Sequence, residues 1–139
     1  MRVFLDANVL FSAADAASAT RALLDVLRRH AEVVTSPHAV AEARRNILVK
    51  RPRDATAFDR LAVLVRATHA FAEHVPVTLP EEDIPILAGA IGSRSTHLWT
   101  GDKRHFGRLY GRAVSGVTIV DALMMLRTVA EHGWWKEPK

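Results

Sequence analysis

The sequence predicts an α/β domain of three layers, α/β/α, built around a central, mostly parallel sheet of about five strands. Two observations lead to this fold class. Short apolar segments of strand length alternate along the chain with longer segments whose apolar residues recur at helical spacing, as in a parallel sheet covered by helices on both faces. The chain has 139 residues, 49% of them apolar, which suits one domain with one hydrophobic core.

Two strands and two helices are predicted before residue 51. Residues 2–5 and 32–35 are short apolar runs and predict the first two strands. Residues 20–30 predict a helix because three leucines fall on one face. Ser36 and Pro37 form a helix start, with the serine as N-cap and the proline at the first helical position, for a helix that continues to about residue 50.

The middle of the chain predicts a further helix and a third strand. Asp54 is expected to cap the helix, whose apolar side includes Phe58 and extends as far as Ala72. Apolar residues then alternate over residues 75–79, as in a half-buried strand, and Pro80 ends the alternation.

The last third of the chain predicts two strands and two helices. Asp83 precedes apolar residues at the i, i+3, i+4, i+7 spacing of a helix. Residues 97–100 and 117–120 are predicted as the fourth and fifth strands. Asp121 is expected to cap the last helix as a plain structural residue, and Gly133 to stop it.

Composition limits the classes of protein to which the chain can belong. It contains no cysteine, so disulfides and thiolate metal sites are excluded. No apolar run approaches the ~20 residues of a membrane span, and the N-terminus passes directly into a strand without the apolar core of a signal peptide. We therefore expect a cytoplasmic protein with no membrane contact, organised as one domain over residues 1–133 and a C-terminal tail over residues 134–139.

Four acidic residues placed just past predicted strands indicate the chemistry. They are Asp6, Glu42, Asp83 and Asp102. Because sites in parallel α/β sheets gather outside the carboxyl ends of the strands, we expect these carboxylates to meet. Carboxylates crowded together repel one another, so the expected resident is a hard divalent cation, Mg²⁺ or Mn²⁺, in a site suited to phosphodiester chemistry.

The charge of the remaining chain suits a polyanionic substrate. Nineteen lysines and arginines against fifteen acidic residues give a net charge of +4. With the four predicted site carboxylates set apart, nineteen basic residues face eleven acidic ones, a balance of +8. A basic body around an acidic pocket favours a polyanion that is bound broadly and cut locally. A generic basic domain is the alternative.

Three of the acidic residues also have a purely structural interpretation. Asp6 and Asn8 can form an Asx turn or cap the next helix. Glu42 can belong to a solvated helix face with a weak ion pair. Asp83 stands where an N-cap belongs, although the two glutamates before it exceed what capping needs.

The segment around Asp102 favours function over turn chemistry. The predicted strand ends in Thr100, a glycine then allows a tight turn, and the aspartate is presented in the loop. Thr100 is expected to hydrogen-bond a carboxylate that binds the metal. His105 lies one short turn beyond Asp102.

Four segments occur in an order and at a spacing that together carry a family resemblance. They are residues 3–10 (VFLDANVL), 36–45 (SPHAVAEARR), 83–88 (DIPILA) and 100–106 (TGDKRHF). The chain resembles the PIN domain family, and within it the VapC-like toxins of VapBC-type toxin–antitoxin pairs. The segments span nearly the whole chain, and the resemblance implies a PIN-like fold and a metal-dependent endoribonuclease.

The resemblance also implies roles for individual residues. The four acidic residues form the catalytic quartet, and three of them, Asp6, Asp83 and Asp102, hold Mg²⁺ or Mn²⁺. Asn8 and Thr100 are supporting polar groups for these carboxylates. Such a site hydrolyses RNA phosphodiester bonds.

One position departs from the family pattern. Many relatives carry a further acidic residue just before the phenylalanine of the last segment, where this chain has His105. We expect the histidine to change the number of metals that the site binds, or which metal it binds. Glu82 is a second candidate for the third acid, although the spacing to the following apolar residues favours Asp83.

Basic residues that follow two of the acids are candidates to bind RNA. They are Arg44, Arg45, Lys103 and Arg104, and for each a solvated helix face is the equal alternative. The resemblance implies an RNA substrate, a cognate antitoxin protein and a homodimer. The main alternative is a catalytically weak or inactive PIN-like scaffold that binds RNA or protein. A haloacid-dehalogenase-like phosphatase or a receiver domain ranks below both.

Overall fold

A six-stranded sheet forms the centre of the computed structural model, which describes residues 1–135. The strands are β1 Arg2–Leu5, β2 Glu32–Thr35, β3 Arg66–Ala67, β4 His97–Trp99, β5 Ala113–Val114 and β6 Val117–Val120. Their order in the sheet is β3-β2-β1-β4-β6-β5. Neighbouring strands are parallel except for β5 and β6, which are antiparallel.

Helices cover both faces of this sheet. They are α1 Ala7–Ala13, α2 Ala19–His30, α3 Pro37–Lys50, α4 Ala55–Leu64, α5 Ile84–Gly92, α6 Lys103–Phe106 and α7 Ala122–Glu131. Helix α2 packs against α7, while α1 packs against α3 and α4. The three-layer α/β/α arrangement with a mostly parallel sheet confirms the predicted fold class, with six strands in place of about five.

The predicted strand over residues 75–79 is wrong. Apolar side chains of this segment pack against the core, but the segment belongs to none of the strands that the structure describes. Pro76 and Pro80 have no N–H to donate to a sheet ladder. The chain is instead tied to α5 by the backbone N–H of Ala72, which donates to the carbonyl of Ala88 (2.8 Å). Ala72 therefore lies outside α4, contrary to the prediction, and the third strand is the two-residue β3.

Three short elements, α1, α6 and β5, have weak signals in the sequence. The two helices have seven and four residues, too few for helical periodicity to show. Strands β5 and β6 form a hairpin around Ser115 and Gly116, whose φ angles are 48° and 84°. A Ser-Gly pair between two valines is the local signal that predicts such a hairpin.

Helix α7 begins and ends where the sequence predicts. The side chain of Asp121 accepts a hydrogen bond from the backbone N–H of Met124 (2.9 Å), which confirms its role as a cap. Gly133 follows the helix with a φ of 70°, the left-handed conformation that favours glycine. No helix in the part of the chain that the structure describes is long and apolar enough to cross a membrane.

The start of the predicted tail packs on the domain. The Trp134 ring stacks on the rings of His30 and His132, with centroid distances of 5.3 and 4.4 Å. The side chain thereby joins the end of α2 to the end of α7. Residues 136–139 of the predicted tail lie outside the described residues.

Sheet register brings the ends of β1 and β4 together. Leu5 pairs with Trp99 in the parallel ladder, so the residues that follow them, Asp6 and Thr100, become neighbours at the carboxyl edge. The backbone N–H of Asp6 donates to the carbonyl of Trp99 (3.1 Å) and extends the ladder by one bond. This edge of the sheet positions the candidate site.

Candidate active site

Asp6 is almost fully buried, and hydrogen bonds hold its carboxylate. The residue is 3% exposed. Its Oδ1 accepts from the backbone N–H of Ala7 (2.6 Å) at the start of α1, so this oxygen acts as a helix cap. Its Oδ2 accepts from the hydroxyl of Thr100 (2.8 Å) and, at a longer distance, from Nδ2 of Asn8 (3.4 Å). The orientation of the carboxylate is therefore fixed by the fold.

Thr100 and Asn8 connect Asp6 to the loop after β4. Thr100 is fully buried, and its hydroxyl oxygen also accepts from the backbone N–H of Asp102 (3.1 Å). The side-chain oxygen of Asn8 accepts from the backbone N–H of Gly101 (2.7 Å). Two segments that are 94 residues apart in the sequence thus share one hydrogen-bond network.

A second cluster contains Asp83, Asp102 and His105. Asp102 caps α6, because its Oδ1 accepts from the backbone N–H of His105 (3.2 Å). Nδ1 of the His105 ring lies 2.8 Å from Oδ2 of Asp102 and 2.8 Å from Oδ2 of Asp83. These contacts lack hydrogen-bond geometry, so the buried Oδ2 of Asp83 and Nδ1 of His105 remain without a hydrogen-bond partner.

Asp83 does not use its side chain as a helix cap. It closes a single 3₁₀ turn, Glu81–Asp83, in which its backbone N–H donates to the carbonyl of Pro80 (2.9 Å). The structure gives no capping hydrogen bond from its carboxylate to α5. The residue is nevertheless buried, with only 7% of its surface exposed. The structural interpretation therefore fails for this carboxylate, which is buried and turned toward the second cluster.

Burial raises the pKa of Asp6 from 3.8 to about 6. The hydrogen bonds from Thr100 and Ala7 oppose this effect, because they stabilise the charged form. Repulsion from Glu42 and Asp83 adds to it. The carboxylates therefore lie close enough to interact, as expected of acids that meet at one edge of a sheet.

The pKa of Asp83 is also raised, and burial is again the first cause. His105 opposes the shift, while Asp102 and the two glutamates, Glu82 and Glu42, increase it by repulsion. Glu42 is half-buried on α3 and disfavours the charged forms of both Asp6 and Asp83. Its charge therefore acts on the same site as the other three acids.

The side chains of the second cluster suit a divalent cation. Among residues 1–135, one set of three ligating side chains, Glu82, Asp83 and His105, has donor atoms that all lie within 4.8 Å of one another. Carboxylate oxygens and an imidazole nitrogen are ligands for divalent metals. The unpartnered Oδ2 of Asp83 is the atom that such an ion would satisfy. Asp6 and Asp102 lie outside this closest set.

The predicted RNA-binding residues differ in their contacts. Lys103 and Arg104 are exposed on α6, directly after the capping aspartate, and Arg45 is exposed on α3. Arg44 is also exposed, but its Nε lies 3.1 Å from Oδ1 of Asp59 on α4. Arg44 therefore has a partner within the protein, whereas the two α6 residues stand beside the acidic cluster.

Tyr110 belongs to the site although no motif marks it. Its hydroxyl donates to the backbone carbonyl of Thr100 (2.9 Å), at the end of β4. Burial first, and then the charges of Asp121 and two site aspartates, raise its pKa to about 12, so the hydroxyl keeps its proton. A bridge to Ile119 of β6 places the residue, and the sequence gives no signal for that bridge.

A solved structure shares this fold. The chain is similar to a chain in the crystal structure of VapBC2 from Rickettsia felis bound to a DNA fragment from their promoter. The TM-score is 0.66 and the sequence identity is 14%, over 87% of this chain and 98% of that chain. At this identity the likeness establishes the fold alone. No family model matches the chain, and no curated protein matches it in sequence.

Proposed function

We propose that the chain is a Mg²⁺- or Mn²⁺-dependent endoribonuclease of the PIN type that acts as the toxin of a toxin–antitoxin pair. The observation that carries the proposal is the buried Oδ2 of Asp83, which has no hydrogen-bond partner and faces His105. A buried carboxylate oxygen that accepts no hydrogen bond is costly unless positive charge lies against it, either from a bound cation or from a protonated His105 ring. Asp6 lies close enough for the two charges to repel each other.

The fold likeness supports the choice of partners. The similar chain comes from a VapBC2 structure on promoter DNA. By analogy, we propose that an antitoxin protein binds this chain, covers the acidic edge of the sheet and inhibits it. The RNA substrate and the homodimer that we propose rest on the sequence resemblance alone.

The four acids have distinct tasks in this proposal. Asp6, Asp83 and Asp102 hold the cation, and Glu42 either joins them or orients a water molecule. When bound, the ion supplies positive charge where negative charge develops on the phosphate and lowers the pKa of a water molecule. The hydroxyl of Thr100 donates to Asp6 and keeps that carboxylate facing the site.

Hydrolysis by water defines the products. In-line attack of water on the phosphorus leaves a 5′-phosphate and a 3′-hydroxyl, and it does not use the 2′-hydroxyl of RNA. A 2′,3′-cyclic phosphate product would contradict this chemistry. Lys103, Arg104 and Arg45 bind the flanking phosphates in this proposal. Replacing them should flatten the loss of RNA affinity with rising salt.

The test is cleavage of single-stranded RNA, tRNA and DNA by the purified chain with Mg²⁺, Mn²⁺ or EDTA. Asp6→Asn and Asp102→Asn remove one charge each from the two clusters. Asp15→Asn is the matched control, because Asp15 is an exposed aspartate in the turn after α1. We expect metal-dependent cleavage that EDTA and both site variants abolish and that the control retains.

The opposite result would favour the non-cutting alternative. RNA binding without cleavage under either metal contradicts the nuclease proposal and supports a PIN-like scaffold. His105 would then be the first residue to replace, because it stands where a further acid is expected.

A further inference from the structure

A histidine stands at the centre of the second cluster. Nδ1 of His105 lies 2.8 Å from a carboxylate oxygen of Asp83 and 2.8 Å from one of Asp102. The ring is positioned from both ends of its short helix, because Asp102 caps α6 and Phe106, the next residue, is fully buried. The nitrogen is therefore held against the two carboxylates by the backbone.

The contacts around this nitrogen have the spacing of neighbouring metal ligands. Ligand atoms about 2.1 Å from an octahedral ion lie about 3 Å from one another. The 2.8 Å contacts are close to that value, and the donor atoms of Glu82, Asp83 and His105 all lie within 4.8 Å.

Asp83 provides an independent observation. The residue is 7% exposed, and its Oδ2, which faces the His105 ring, has no hydrogen-bond partner. Nδ1 of His105 is also buried without one. These two buried atoms form an ion pair when Nδ1 carries a proton, and when it does not, both lone pairs are available to a shared cation.

We infer that His105 is a direct metal ligand through Nδ1, beside Asp83 and Glu82 and in addition to the other carboxylates of the proposed function, and that it gives the site a preference for Mn²⁺ over Mg²⁺. The inference rests on the proposed metal-dependent function and specifies its cation. Mg²⁺ strongly prefers oxygen ligands, whereas first-row transition ions also accept imidazole nitrogen. A site made of carboxylates alone lacks this source of selectivity.

The first experiment measures binding of Mn²⁺ and of Mg²⁺ to the metal-free protein by calorimetry, without RNA. We expect the native chain to bind Mn²⁺ at least about tenfold more tightly than Mg²⁺. His105→Asp should reduce this ratio by about tenfold, because it replaces the nitrogen ligand by an oxygen ligand. His74→Gln is the control, since His74 is exposed and belongs to neither cluster, and it should leave the ratio unchanged.

The second experiment is informative with the native chain alone, even if His105→Asp does not fold. Pulsed electron paramagnetic resonance of Mn²⁺ bound to the native chain should show hyperfine coupling to a directly bound nitrogen. The coupling should persist in His74→Gln and disappear in His105→Asp. Absence of nitrogen coupling in the native chain, or an Mn²⁺ to Mg²⁺ ratio that His105→Asp does not change, would overturn the inference.

These outcomes separate the inference from the proposed function. If the chain cuts RNA in a metal-dependent way but bound Mn²⁺ shows no nitrogen coupling, the nuclease proposal stands and His105 is not a ligand. Nitrogen coupling in a chain that cuts no RNA establishes the ligand and removes the nuclease.

Discussion

The two buried aspartates of the site are held in different ways. Asp6 directs both carboxylate oxygens to donors on its own domain, namely Ala7, Thr100 and Asn8. Asp83 has an oxygen with no hydrogen-bond partner, and it does not cap the helix that follows it. Both carboxyls have a raised pKa because they are buried.

The difference separates a carboxylate that the scaffold orients by hydrogen bonds from one with an oxygen that accepts no hydrogen bond. Hydrogen bonds to the charged form offset part of the burial cost at Asp6. At Asp83, the effect that opposes the burial-induced rise in pKa comes from His105, whose Nδ1 itself lacks a hydrogen-bond partner. We therefore expect substitutions on the Asp6 side to change folding stability as well as cation binding, and those on the Asp83 side to act mainly on cation binding.

The largest expected effect on stability comes from Asp6→Asn. A pKa of about 6 in the folded chain against 3.8 for the free group means that the charged carboxylate destabilises the folded chain by about 3 kcal/mol. Because the folded pKa is raised, this destabilisation is absent below pH 3.8. The free energy of unfolding then falls as the pH rises from 3.8 to about 6. In EDTA, Asp6→Asn should therefore be more stable than the native chain at pH 7.5 by up to about 3 kcal/mol, and close to it at pH 4.

Urea unfolding at the two pH values measures this difference. Asp83→Asn is the companion variant, and its gain should be smaller because His105 offsets part of the burial cost at Asp83. An Asp6→Asn chain that is less stable than the native one at pH 7.5 would show that the hydrogen bonds outweigh the burial of the charge.

The next effect is expected at Thr100, which joins the two sides of the site. Thr100→Val keeps the shape of the side chain but removes the donor to Asp6 and the acceptor for the backbone N–H of Asp102. We expect a loss of about 2 kcal/mol in urea unfolding, since buried partners lose their hydrogen bonds. Thr100→Ser, which keeps the hydroxyl, should recover most of this loss. If Thr100→Val has the same free energy of unfolding as the native chain, the hydrogen bonds of Thr100 do not stabilise the fold.

A smaller effect is expected at Tyr110. Tyr110→Phe removes the hydrogen bond to the carbonyl of Thr100 and should cost about 1 kcal/mol of stability. With a pKa raised to about 12, the hydroxyl stays protonated, so the cost should be the same from pH 6 to pH 9. A cost that varies across this range would assign the effect to another titrating group.

The smallest effect is expected at Arg44, which lies outside both clusters. Its pair with Asp59 is exposed to solvent, and such pairs contribute little to stability. Arg44→Ala should match the native chain in thermal unfolding within experimental error. If Lys103→Ala weakens RNA binding and Arg44→Ala does not, the RNA path passes Lys103 and not Arg44; equal losses would place both residues on it.

Local signals in the sequence were sufficient for most of the sheet and for several helix starts. Strands β1, β2 and β6 coincide with the predicted runs, and Ser36 caps α3 through the backbone N–H of Ala39 (3.1 Å). Each of these elements has a nearby signal, either an apolar run of strand length or a capping residue before a proline. The segment over residues 75–79 shows the limit of such local signals. Alternating apolar residues indicate that one side of a segment is buried, but not that a neighbouring strand pairs with the segment.

The candidate site is less visible in the sequence, since its contacts join segments that are distant in the chain. The resemblance placed Asp6, Glu42, Asp83 and Asp102 in one site, but it did not indicate that Asp83 has an unpartnered oxygen or that Tyr110 supports Thr100. The α/β class and the positions of the acidic residues after the strands follow from local patterns in the sequence, because strand and helix periods are local properties of the chain. Which of those acids accept hydrogen bonds and which face His105 depends on contacts between distant segments, because sheet register and burial set the hydrogen-bond partners of a side chain.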